Sequence, residues 1–185
     1  TANGYVARWW DQSTNGNHAT QSTGAYQPQI YNGSAVITDN GKPAIECYAD
    51  YLNFTAIDLT SDFAISHVGQ FQTQDAIYGG SQGNFGGYGL NTVLRWRMSY
   101  VNTTFTFTYS TGQQYLDILN RASNSVTLHI DGSSIGTVTN SNTFNLSMLA
   151  NGNGAGMPLV GKMQEVVVWS SDQSSNRTGI ESDIN

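Results

Sequence analysis

Thr104-Phe105-Thr106-Phe107-Thr108-Tyr109 alternates hydroxyl and ring at every step. A strand puts successive side chains on opposite faces, so the three rings share one side and the three threonines the other; a helix would scatter both around its circumference. The segment therefore reads as a strand with one buried and one wet face. Upstream, residues 93–100 alternate in the same way, with Leu94, Trp96 and Met98 on one face and Val93, Arg95, Arg97 and Ser99 on the other. Downstream, residues 115–119, 125–130, 135–138 and 166–169 are strand-length runs, and Asp131-Gly132 is a tight turn joining two of them.

Toward the N-terminus the same reading gives strands at residues 5–10, 35–38, 44–48 and 63–68, the last continuing through 69–73. Asp39-Asn40-Gly41 supplies a hairpin turn between two of them, because glycine accepts positive φ. Helix signals are confined to residues 174–185, where Ser174 or Ser175 is placed to cap and Ile180 and Ile184 lie four apart. Ten or so short strands with polar turns predict an all-β fold, a two-sheet antiparallel jelly-roll sandwich with a short C-terminal helix.

Composition narrows the class. The 185 residues fit one domain, 1–185, with no internal linker or repeat. Charged residues are only 11% of the chain, against about 25% in ordinary globular proteins. Polarity comes instead from 18 Asn, 19 Ser and 19 Thr, with 20 Gly. The net charge of −6 and seven dispersed basic residues, of which only Arg95 and Arg97 sit close together, exclude a nucleic-acid stripe and an anionic-membrane surface. The single Cys47 excludes an intrachain disulfide and a multi-thiolate zinc site, and its apolar neighbours make it a buried thiol. No apolar run approaches the roughly 20 residues of a membrane span. The ends, Thr1 without a Met and Asn185, read as cuts within a longer parent chain.

Three stretches carry a resemblance. Trp9-Trp10-Asp11-Gln12-Ser13-Thr14-Asn15-Gly16-Asn17-His18-Ala19, continued by Gln27-Pro28-Gln29-Ile30 and Gly41-Lys42-Pro43-Ala44-Ile45-Glu46, is the first; Leu128-His129-Ile130-Asp131-Gly132 is the second. The third is Gly161-Lys162-Met163-Gln164-Glu165-Val166-Val167-Val168-Trp169 with Ser171-Asp172-Gln173 after it. Together they resemble the concanavalin A-like lectin/glucanase superfamily, in particular laminin-G-like jelly-roll domains of phage and bacterial surface proteins. The resemblance implies a lectin-like sandwich on a virion or at the cell surface. Two positions depart from the pattern: Thr14 stands where the family has Gly, and Gln164 where many relatives carry a calcium-holding Asp.

The chemistry follows from what is present and what is missing. Retaining glycoside hydrolysis needs two carboxylates about 5 Å apart, and Glu46, Glu165 and Glu181 are each isolated in sequence. No Gly-x-Ser-x-Gly elbow accompanies His18, His67 or His129. Asp11, Asn15 and Asn17 place hard oxygen donors at alternating loop positions and are the candidate calcium ligands, the other reading being a turn closed on its own backbone. Tyr78 and Tyr88, on the Gly-rich stretch 78–89 read as a loop, and Trp96 and Tyr100 are the candidate ligand-binding rings, the other reading being core aromatics. The second Gly-rich loop, 151–156, lacks a phosphate-binding Lys. The sequence thus predicts a non-catalytic carbohydrate-binding or attachment module whose partner is a glycan or host-surface polysaccharide. The rivals are a structural decoration or fibre domain contacting other virion subunits, and a glycoside hydrolase.

Overall fold

The computed structural model describes residues 2–72, 76–81, 84–90, 93–152 and 157–184, with the side chains of 88–90 and 93–94 left aside. In chain order its strands are β1 (Gly4–Tyr5), β2 (Arg8–Trp9), β3 (Ala19–Thr20), β4 (Gln29–Tyr31), β5 (Thr38–Asp39), β6 (Lys42–Pro43), β7 (Ile45–Tyr48), β8 (Leu52–Leu59) and β9 (Phe63–Phe71). Then come β10 (Tyr78–Gly79), β11 (Phe85–Leu90), β12 (Val93–Met98), β13 (Val101–Thr106), β14 (Gln114–Ala122), β15 (Ser125–Ile130), β16 (Ser133–Thr139), β17 (Phe144–Leu149) and β18 (Val160–Trp169), followed by one helix, α1 (Arg177–Ile184).

Two eight-stranded sheets face each other. The first runs β1-β4-β7-β18-β9-β14-β15-β16 and the second β13-β12-β11-β10-β17-β8-β3-β2, with β5 and β6 as a separate hairpin. Every described pairing is antiparallel, as in β9 with β14 (Ser66 opposite Ile118) and β12 with β13 (Arg95 opposite Thr104). The predicted all-β sandwich with its short C-terminal helix is the observed fold.

The alternation that opens the sequence sets the packing. Thr103 and Phe105 are buried and Phe107 and Tyr109 are half-buried, whereas Thr104, Thr106 and Thr108 are exposed. The pattern outlasts the strand, which ends at Thr106. Phe105 meets Trp96 edge to face with ring centroids 5.6 Å apart, and Phe107, Tyr109 and Tyr115 form a mutual cluster at 4.9–5.6 Å. Inward residues of both sheets, among them Phe63, Ile65, Leu119, Val126 and Leu128 from the first and Trp96, Met98, Phe144 and Leu146 from the second, make one core cluster. Cys47 lies in it as expected, and burial pushes its thiol far up.

Arg121 seals one end of the sandwich without a carboxylate. Its Nε donates to Ser61 O at 2.8 Å, Nη1 to Asn142 O at 2.5 Å, and Nη2 to Leu59 O and Ser61 O, while the guanidinium lies over the Phe63 ring. Four hydrogen bonds to three carbonyls satisfy a charge that would otherwise be costly to bury.

Several expectations are corrected. The run 5–10 is two short strands: β1 belongs to the first sheet and β2 to the second, because the chain crosses between sheets with Val6 N–H on Pro28 O and Ala7 O accepting from Gln21 N–H. The Gly-rich stretch read as a loop contains β10 and β11. Glycine is required there by close packing: a Cβ on Gly86 would lie 2.7 Å from Trp96 Cδ1 and would overlap the Tyr78 ring. The helix starts at Arg177, later than the Ser174 or Ser175 cap implies, because the Ser174 hydroxyl is engaged by Asp172 and Asn120 and the first helical bond runs from Ile180 N–H to Asn176 O. Asn40 and Gly41, with φ of 45° and 77°, make the predicted hairpin turn between β5 and β6. Residues 153–156 of the second Gly-rich loop, 82–83 of the first and Thr73 lie outside the described residues.

Candidate functional site

The sandwich has two outer faces, and they are built differently. On the first sheet, Val68, Leu116 and Ile118 point away from the main core and form a second apolar cluster closed by Ile180 and Ile184 of α1. Arg177 pairs with Glu181 within the helix at 2.5 Å and reaches from it to the β15–β16 turn by donating to Gly132 O at 3.4 Å. That face is covered.

The outer face of the second sheet follows from strand register. Residues opposite one another share a face, so the row Arg8–Thr20–Asn53–Met148 continues through Gly79 and Phe85 to Arg97 and Asn102. The main chain of Asn151 and Gly152 crosses this row as a ridge: it abuts Gly79, and a Cβ on Gly152 would lie 3.2 Å from Phe85 Cβ. On the β12–β13 side of the ridge, Arg95, Arg97, Asn102 and Thr104 form a polar shelf opposite in sense to the buried Trp96 and Met98.

Arg97 is held on this shelf by rings. Its guanidinium carbon is 5.8 Å from the Phe85 ring centroid and 5.4 Å from that of Tyr100, within cation–π range. Its Nε is buried and finds no hydrogen-bond partner among the described residues. Tyr100, 64% exposed, sits on the Ser99–Tyr100 turn, where both residues adopt positive φ (45° and 69°).

Of the four candidate ligand-binding rings, Tyr100 is therefore at the surface. Trp96 and Tyr78 are 0% and 1% exposed, and the Trp96 Nε1 donates to the Tyr78 hydroxyl at 2.8 Å in the core. Placing them in a ligand site is corrected: β12 turns Trp96 inward, and a solute does not reach either ring. Burial pushes the Tyr78 phenol well above its ordinary range, with the Asp117 carboxylate adding to it. Tyr88 pairs through its backbone with Arg95, and its side chain lies outside the described residues. Arg95 and Arg97 were legible as the outward positions of an alternating strand, but sequence reasoning followed the rings and passed over them.

The candidate calcium loop closes on itself. The Asp11 carboxylate accepts from Ser13 N–H at 2.8 Å, Ser13 Oγ at 2.9 Å and Asn17 N–H at 2.8 Å, and these bonds, the Ser13 hydroxyl foremost, hold its pKa below the usual value. Asn15 enters the same loop through its N–H on Ser13 Oγ at 3.2 Å, and Asp11 N–H donates to His18 Nδ1. Gln164, at the departed Asp position, donates from Nε2 to Asp39 O at 2.8 Å and Lys42 O at 3.0 Å, a role a carboxylate does not fill. Among the described residues no group of three or more His, Cys, Asp or Glu side chains converges. Asp11 thus lies in a turn closed on its own backbone, the second of the two readings open to this loop, with Asn15 and Asn17 joining it through their main-chain N–H groups.

A third arrangement lies between the sheets. His67 Nδ1 and Asp117 Oδ1 are 2.8 Å apart, both side chains essentially unexposed, and His67 Nε2, Asp117 Oδ2 and Tyr109 OH have no partner among the described residues. The pair is an acid–base couple by chemistry and a core feature by position.

No family model matches the chain, and no curated protein matches it. Solved structures do. Domain 4 of AbnA, a GH43 extracellular arabinanase from Geobacillus stearothermophilus in complex with arabinotriose, matches with a TM-score of 0.62 at 14% identity over 82% of each chain. An arabinofuranosidase complexed with arabinofuranosyl-α-1,2-xylobiose matches at 0.67 and 13% identity, over 98% of this chain and 51% of the other. The Ruminococcus gnavus sialidase CBM40 bound to α2,3-sialyllactose matches at 0.50 and 13% identity, over 74% and 94%. At these identities the likeness is one of fold alone, a two-sheet β-sandwich.

Proposed function

We propose that the chain is a non-catalytic carbohydrate-binding module whose ligand lies on the outer face of the second sheet. The observation that carries this reading is the β12–β13 shelf, which no described helix covers, where Arg95, Arg97, Asn102 and Thr104 offer hydrogen-bond donors and acceptors beside the exposed Tyr100 ring. Rings stack on the apolar faces of sugars, and planar donors pair with hydroxyls and acidic groups. Neighbours of the same fold were solved with arabinotriose and with sialyllactose, which supports a glycan as the ligand class.

The non-catalytic part rests on carboxylates. Among the described residues, strand pairing puts Asp58 alone of the acidic residues on this face, and its Oδ1 accepts from Asn145 Nδ2 at 2.6 Å. Retaining and inverting hydrolysis both require two such groups. Display on a phage particle or bacterial surface accords with the resemblance of the opening and closing motifs, and a fibre or decoration role remains its rival. Binding to an array of immobilised glycans tests the reading: retention of at least one glycan class, lost on changing the shelf, is the expected result. A folded chain that retains none overturns it.

A further inference from the structure

Seven basic residues serve a chain of net charge −6, and the structure accounts for four of them. Arg121 is spent on carbonyls, Arg177 on Glu181, Lys42 donates to Ile184 O and Lys162 to Thr38 O. The remaining three, Arg8, Arg95 and Arg97, have no carboxylate partner among the described residues, and register places all three on the outer face of the second sheet. Two of them are neighbours at alternate positions of β12, about 7 Å apart along the strand.

From this, and resting on the carbohydrate-binding reading above, we propose that Arg95 and Arg97 hold the anionic group of an acidic oligosaccharide, a sugar carboxylate or sulfate. An unpaired arginine on an acidic protein is the group whose charge most favours an anionic ligand. The planar guanidinium matches a carboxylate or sulfate with two parallel hydrogen bonds. Arg97 is pre-oriented for this by Phe85 and Tyr100, and its buried Nε is left without a described partner. Holding the side chain in advance lowers the ordering cost of binding. The surrounding polar shelf, Asn102 and Thr104, is suited to the uncharged hydroxyls of the same sugar. Arg8 lies six strands away across the ridge, so it is outside a short ligand's reach.

The test is affinity, by calorimetry, for three sets of oligosaccharides matched in length: neutral, uronic-acid-containing and sulfated. A single-stranded oligonucleotide serves as a generic polyanion. The expected result is preference for an acidic set, with Arg95→Gln and Arg97→Gln each weakening it about tenfold or more. Arg97→Lys, which keeps the charge and loses the fork, falls between. Arg177→Gln, on the covered face, leaves affinity unchanged, and the melting temperature shows that each variant folds. Preference for the carboxylated over the sulfated set, or the reverse, names the group. Equal binding of neutral and acidic sugars, or loss in none of the β12 variants, overturns the acidic ligand while leaving a glycan-binding module standing. Oligonucleotide binding as tight as that of the acidic sugars overturns it too, as simple polyanion attraction. Binding of no sugar at all removes both readings.

Discussion

The two outer faces of the sandwich come from the same strand chemistry and end differently. On β14 the outward residues Leu116 and Ile118 are apolar and need cover, which Ile180 and Ile184 of α1 supply. On β12 the outward residues are Arg95 and Arg97, which need no cover, and the described helix lies on the other side of the molecule. The difference teaches where function has room. A face that has recruited a helix serves stability, and a polar face left bare with unpaired charge is available to a ligand.

That contrast predicts opposite responses to substitution. The largest effect on folding belongs to the covered face: Ile118→Ala leaves a cavity beneath α1 and costs about 2–5 kcal/mol, read as a fall in melting temperature of about 5–15 °C. Arg95→Ala on the bare face changes stability by no more than about 0.5 kcal/mol while weakening glycan binding. If Arg95→Ala were as destabilising as Ile118→Ala, the bare face would be structural and the contrast would fail.

A smaller effect concerns acid. His129 lies beneath α1, and burial, then the Arg177 charge, lower its pKa against an opposing pull from Glu181. The folded state favours the neutral ring, so the unfolded chain takes up the proton first. The stability held above the ordinary histidine pKa of about 6.5 is therefore lost as pH falls below it. Melting temperature measured at about pH 7.5 and about pH 5.5 is expected to drop in the wild type and to drop less in His129→Gln. An equal drop in both would detach this titration from the helix. Least of all, calcium or a chelator is expected to leave the melting temperature unchanged, because the Asp11 oxygens are already occupied by Ser13 and Asn17; a clear rise with calcium would show that the loop opens to take the ion.

Much of this was legible in the sequence, for reasons that can be named. Period-two alternation at 104–109 and 93–98 is a local consequence of having one buried face, so β12 and β13 could be read directly. The Asn40-Gly41 and Asp131-Gly132 turns carry their own positive-φ signature. Other elements lacked such signals. β8 carries Asn53, Thr55 and Asp58 outward, with irregular spacing of its apolar residues where the register shifts against β17. β11 contains Gly86, where only a glycine lets Tyr78 and Trp96 pack, and Gly87, which abuts Ile77, requirements that no local pattern announces. The site shared that fate. An aromatic residue looks the same in sequence whether it stacks on a sugar or fills a core, and only the inward turn of Trp96 decides it. Which arginines lack partners depends equally on tertiary structure, since Arg121 and Arg97 both lie on strands and only their surroundings show that one is bonded to carbonyls and the other held by rings.

The central claim, that the ligand face is the outer face of the second sheet, is tested most directly by a backbone amide NMR titration with the tightest-binding oligosaccharide. The account predicts shifts concentrated at Arg95, Arg97, Tyr100, Asn102 and Thr104, with Leu116, Ile118 and the amides of α1 unmoved. Shifts concentrated on α1 and the first sheet, with β12 and β13 silent, would contradict it.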